Sequence, residues 1–139
     1  KPMVGIVSPR EAWQALIEDE KAHLCDVRTE YEWDTIGVPD LSSIGKDVIL
    51  IPWQPHPGRP HVNPNFVEDL GDAGLSPEHH IYFICRTGGR SLAAAQAALA
   101  AGFPHVYNVV DGFEGPPNET GARGTVAGWK AEGLPWRYR

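Results

Sequence analysis

Apolar positions in this chain follow two periods, one near two residues and one near 3.6, and segments of each kind alternate. The run Val4-Gly5-Ile6-Val7 predicts a short edge strand. A helix start follows in Ser8-Pro9-Arg10-Glu11, where Ser8 can cap, Pro9 suits the first helical position and Glu11 completes a capping box. Trp13, Leu16 and Ile17 recur at helical spacing and carry that helix to about residue 19. His23-Leu24-Cys25-Asp26-Val27 predicts a buried strand ending in charge. Thr29 and Glu32 form a second capping box before a short helix, which Gly37-Val38-Pro39-Asp40 ends. Residues 47–51, with Val48-Ile49-Leu50-Ile51, read as one continuous apolar strand of a sheet covered on both faces. A proline-rich loop fills residues 52–64. Asn63-Pro64 then opens a helix with Phe66, Val67 and Leu70 on one face, ending near Gly71.

Ile81-Tyr82-Phe83-Ile84 is the densest strand signal, and a glycine-containing loop follows it directly. Residues 91–100 predict an alanine- and leucine-rich helix that Gly102 terminates. Val106-Tyr107-Asn108-Val109-Val110 reads as the last strand, residues 111–124 as a loop and residues 125–132 as a short final helix. Strands and helices alternate without an internal repeat or linker. The expectation is a single α/β domain over residues 1–139, with a mainly parallel sheet flanked by helices on both faces.

Composition narrows the partners. A chain of 139 residues that is 42% hydrophobic and 22% charged can bury a core and fits a soluble globular protein. No apolar run approaches the roughly 20 residues of a membrane span. The net charge of −6 argues against nucleic-acid or anionic-membrane partners. Lys1-Pro2-Met3-Val4 has no apolar segment of a signal peptide, so a cytoplasmic location is expected, although the absent initiator Met leaves room for a removed leader. Cys25 and Cys85 form no C-x-x-C pair, which fits a reducing compartment. His56, His61, His79, His80 and His105 match no zinc spacing, and no metal site is expected.

The candidate chemistry sits in Cys85-Arg86-Thr87-Gly88-Gly89-Arg90. Ligands of open α/β sheets bind beyond the carboxyl ends of the strands, where Cys85 stands. Gly88 and Gly89 let backbone N–H groups turn inward as an anion nest, and the next helix aims its positive end at the same point. Arg86 and Arg90 add fixed positive charge. All these features favour a thiolate over a thiol, and the thiolate is the nucleophile. The competing reading is a buried, unreactive thiol at a strand end.

Three segments carry a resemblance to the rhodanese homology domain over nearly the whole chain. They are Leu24-Cys25-Asp26-Val27-Arg28 followed by Glu30-Tyr31-Glu32-Trp33, the loop from Cys85 to Ser91, and Val109-Val110-Asp111-Gly112-Phe113 with the close from Trp129 to Pro135. The resemblance implies a sulfurtransferase with Cys85 as nucleophile and a covalent persulfide on it. The loop residues Arg86, Thr87, Gly88, Gly89 and Arg90 would bind that persulfide, with Asp26, Arg28 and Ser91 in support. It further implies a small sulfur donor such as thiosulfate, a thiol, cyanide or protein as sulfur acceptor, and no metal or organic cofactor. Four residues separate Cys85 from Arg90, one fewer than in related phosphatases, which fits a sulfur atom better than a phosphate. Phosphatase or arsenate-reductase chemistry on the same loop, with Asp26, Asp111 or Glu114 as acid, is one alternative, and a non-enzymatic partner-binding module is another.

The sequence departs from the family at Ile36-Gly37-Val38-Pro39-Asp40-Leu41, which lacks the usual His, and in the long stretch around residues 114–127, which reads either as a pocket lid or as an inert excursion. Asp26 and Arg28 are expected to form structural ion pairs that fix the loop. Cys25 is expected to pack, with a resolving thiol for Cys85 as its other reading. Trp33 and Trp129 are expected in the core. Trp53 follows a strand's carboxyl end and is a candidate pocket wall.

Overall fold

The computed structural model describes residues 3–56 and 59–139. Lys1 and Pro2, part of the N-terminal reading, and Pro57-Gly58 of the proline-rich loop lie outside the described residues. Both expected capping boxes form. Glu11 N–H donates to Ser8 Oγ at 3.0 Å and Ser8 N–H to Glu11 Oε1 at 2.8 Å, which starts α1 (Pro9–Glu18) after strand β1 (Gly5–Val7). Thr29 and Glu32 exchange the same pair of bonds at the start of α2 (Glu30–Ile36), which follows β2 (Ala22–Asp26). Each box satisfies helix N–H groups that would otherwise lack partners.

The remaining elements are β3 (Val38–Pro39), β4 (Ile49–Leu50), α3 (Phe66–Asp72), β5 (His80–Ile84), α4 (Gly89–Ala100), β6 (Val106–Val109) and β7 (Trp136–Arg137). Five strands form one parallel sheet in the order β1-β6-β5-β2-β4, which makes β5 central. Side chains alternate across its faces as the strand period requires. Ile81, Phe83 and Cys85 join Phe66 and Leu70 of α3 and Ala94, Ala95 and Ala98 of α4. Tyr82 and Ile84 join Ala12 and Leu16 of α1, together with Phe113 and Trp129. The alanines of α4 let that helix lie close on the sheet, which brings its first turn to the carboxyl end of β5.

Three expectations need correction. The strand expected over residues 47–51 shrinks to the two residues of β4, because only β2 lies beside it and Pro52 has no N–H to extend the ladder. β6 is not the last strand, since β7 pairs antiparallel with β3. Two-residue strands show no period, so neither was readable. No helix forms over residues 125–132, where turns run instead. Gly128, in the middle of the segment, takes a φ of +102°, which an α-helix does not accommodate. What orders this segment is Trp129, fully buried, with its indole N–H on the Pro135 carbonyl at 2.7 Å and its ring edge-on to Trp13.

Candidate active site

Cys85 immediately follows β5, and its side chain is fully buried. Its Sγ accepts the Gly88 N–H at 3.1 Å and lies 3.2 Å from Ser91 Oγ. The loop is tight because α4 starts at Gly89, two residues earlier than its sequence suggested. Gly88 caps it at φ +110°, a conformation that favours glycine, and no side chain caps the helix. The positive end of α4 therefore faces the sulfur uncovered by a carboxylate or hydroxyl cap.

The segment after β6 braces this loop from behind. Phe113 N–H donates to the Cys85 carbonyl at 2.8 Å, and the N–H groups of Glu114 and Gly115 donate to the Arg86 carbonyl. Gly112 makes the close approach feasible. A Cβ there would stand 2.4 Å from Cys85 O and 2.7 Å from Arg86 O.

The two arginines are held by different partners. Arg90 forks onto Glu32, at 2.7 and 3.0 Å, and so ties the loop to α2. Burial acts to raise the Glu32 pKa, but the hydrogen bond and charge of Arg90, with Thr29 in support, outweigh it and hold the carboxyl below its usual range. Arg86 is half exposed, with its Nε 3.6 Å from Glu114 Oε2. Arg86, Arg90, Glu32, Thr29 and Glu114 line a cavity of about 480 Å³ together with Gln54, His56 and Arg59. Cys85 is not part of that lining. The loop reaches the cavity through Arg86 and Arg90, while the Cys85 sulfur is buried.

Asp26 and Arg28 come together as an ion pair, but with each other and not with the loop arginines. Arg28 Nη2 meets Asp26 Oδ2 at 2.7 Å and the Gly37 carbonyl at 2.7 Å, and the guanidinium lies 4.3 Å from the centre of the Phe113 ring. The pair ties the end of β2 to the end of α2 and to the brace behind the loop. Cys25 is fully buried, and burial, with Asp26 adding, pushes its thiol pKa well up, so it is a packing residue in this arrangement. Trp53 does not wall the cavity. It packs edge-on against Phe66, 5.1 Å between ring centres, while its neighbours Gln54 and His56 reach the lining. Of residues 114–127, Glu114 lines the cavity, and residues 117–126 fold around Asn118, whose Oδ1 accepts three local donors. Among the described residues no cluster of three or more His, Cys, Asp or Glu could hold a metal ion.

The whole arrangement has known relatives. The family model described as the STR4 middle domain matches residues 4–139. The crystal structure of Rv0390 from M. tuberculosis is 44% identical, covers 98% of both chains and superposes with a TM-score of 0.88. Rhodanese-like domain-containing protein 4, chloroplastic, of Arabidopsis thaliana is 26% identical over 95% of this chain, which matches 25% of that longer protein. This chain belongs to that rhodanese-like family. Its fold also matches the polysulfide-sulfur transferase homodimer of Wolinella succinogenes, 26% identical over 98% of this chain and 80% of that one, with a TM-score of 0.67.

Three residues of this rhodanese-like site, Glu32, Asn108 and Gly112, were given no role at it by the sequence. Glu32 was visible as a cap, but its hold on Arg90 spans 58 positions. Asn108 looked like an ordinary strand residue, yet it bonds both Ser91 and Gly88. Gly112 follows β6, and only the proximity of that segment to the loop reveals its role, whereas Glu114, a candidate acid in the sequence, does reach the cavity.

Proposed function

We propose that this rhodanese-like domain is a sulfurtransferase that carries sulfur as a persulfide on Cys85. The observation that carries the reading is the setting of Sγ, at the carboxyl end of the central strand, beside the uncapped start of α4, with Gly88 N–H aimed at it. Those donors favour an anionic sulfur there. The sulfur-transferring neighbour from Wolinella succinogenes supports the same chemistry.

In the first half-reaction the Cys85 thiolate attacks the outer sulfur of a donor such as thiosulfate. The new S–S bond forms as the donor's own S–S bond breaks, and its electron pair leaves on sulfite. In the second, a thiophilic acceptor such as cyanide, a thiol or a protein thiolate takes the terminal sulfur, and the S–S electron pair returns to Cys85. Each step balances without a metal or organic cofactor. Arg86 and Arg59 offer positive charge to an anionic donor in the cavity.

The phosphatase alternative keeps one observation, Glu114 beside Arg86 at the cavity. Asp26 is engaged by Arg28 and is not available as its acid. The shorter Cys85–Arg90 loop favours sulfur transfer. Thiocyanate formation from thiosulfate and cyanide tests the choice. Turnover that falls to background in Cys85→Ser supports the sulfurtransferase. Hydrolysis of a phosphate monoester that depends on Cys85, without thiocyanate formation, supports the alternative. Inactivity with every donor, alongside a protein partner that binds wild type and Cys85→Ser equally, supports a binding module.

A further inference from the structure

Ser91 Oγ carries one proton and has two acceptors within reach, Asn108 Oδ1 at 2.5 Å and Cys85 Sγ at 3.2 Å. The hydroxyl cannot serve both. Asn108 decides the competition, because its orientation is fixed from the other end. Its Nδ2 donates to the Gly88 carbonyl at 3.1 Å, and that leaves Oδ1, an acceptor only, facing Ser91. Asn108 is buried and Ser91 fully so, so no water competes for the bond. With its proton on Asn108, Ser91 turns a lone pair toward Sγ. That suits a sulfur that carries a proton or takes no hydrogen bond, and it opposes a bare thiolate.

We propose that Asn108 and Ser91 form a two-position hydroxyl switch that sets which state of Cys85 the loop favours. In the thiol state the S–H donates to Ser91 and Ser91 donates to Asn108. In the thiolate state the hydroxyl must rotate onto Sγ and leave Asn108 Oδ1 buried without a donor, a costly position for a polar atom. In the persulfide state Sγ is an uncharged divalent sulfur and the negative charge has moved to the outer atom, so the hydroxyl returns to Asn108. The switch therefore disfavours the empty thiolate relative to the sulfur-loaded form and acts as a positioning device for the reaction proposed above. It rests on the reading of Cys85 as the reacting thiol.

The test is the pH midpoint for alkylation of Cys85 by iodoacetamide, followed on the Cys85 peptide so that Cys25 does not contribute. Ser91→Ala removes both the donor a thiolate needs and the Asn108 bond that the thiolate state breaks, so the two effects offset and the midpoint is expected to move by less than about half a pH unit. Asn108→Ala removes the competitor, commits the hydroxyl to Sγ and is expected to lower it by about one pH unit. A merely structural Asn108 would predict the opposite sign, since a loosened Gly88 would withdraw its own N–H from the sulfur. An Asn108→Ala midpoint that rises or does not move, or one that falls equally when Ser91 is also replaced by Ala, overturns the proposal. If Asn108→Ala does not fold, Asn108→Leu removes the same acceptor while filling its space. Neither measurement uses a sulfur donor, so a fall in Asn108→Ala that depends on Ser91, without sulfur uptake, would sink the sulfurtransferase reading and leave the switch standing.

Discussion

Glu32 joins a helix cap to the active loop, and removing it separates the two roles. Its side chain is 17% exposed and that of Arg90 23%, so the forked pair lies between a surface bridge and a buried one. Such a pair is worth about 1–2 kcal/mol. Glu32→Gln keeps an amide oxygen for the Thr29 N–H, as a capping box permits, but gives up the charge toward Arg90. Glu32→Ala gives up the cap bond as well, which adds about 1 kcal/mol. For a chain of this length each kcal/mol moves Tm by about 4 °C. Thermal unfolding at neutral pH is therefore expected to show a loss of about 4–8 °C for Gln and about 8–12 °C for Ala. The acid dependence has a definite sign. The folded carboxyl titrates below its unfolded value, so the stability it supplies is present above about pH 4.3 and disappears as pH falls through the folded pKa. The gap between wild type and Glu32→Gln is expected to close in acid. Equal Tm values for all three proteins, or a gap that persists at about pH 2, would refute the reasoning.

Two further perturbations follow from the same geometry. Gly112→Ala places a methyl group within 2.4 Å of the Cys85 carbonyl at a φ of +61°, and both contacts are backbone, so the loop must shift. Loss of sulfur transfer with a Tm drop of several degrees is expected. Gly89→Ala meets nothing within 4 Å and starts α4, so near-neutral stability is its expected outcome, and a loss as large as that of Gly112→Ala would contradict the close-approach argument. At the other end of the sheet, burial lowers the His23 pKa, with His79 and Lys46 adding to the effect. The unfolded chain then binds the proton first, so the stability linked to neutral His23 is present above about pH 6.5 and lost as pH falls. Denaturant titrations of His23→Gln are expected to show a shallower acid-side slope than wild type, and identical slopes would count against this.

What could be read from the chain and what could not divides by distance in sequence. The capping boxes at Ser8 and Thr29, the densely apolar β5 and the Cys85 loop are local patterns, and all four appear where expected. The helix expected over residues 125–132 failed because its spacing of small and apolar residues ignored Gly128, which takes a positive φ in its middle. β3 and β7 pair across nearly the length of the chain and are too short to show a period. The partners of Arg90 and Ser91, Glu32 and Asn108, lie 58 and 17 positions away, on elements that only the folded sheet brings together. Trp53 shows the limit of arguing from placement, since it follows a strand's carboxyl end yet turns onto Phe66.

The central claim is that Cys85 takes up sulfur. Intact-mass measurement after incubation with thiosulfate or polysulfide tests it most directly. The account predicts a gain of one sulfur atom, absent in Cys85→Ser and removed by cyanide. No gain with either donor, or a gain that survives in Cys85→Ser, would contradict it.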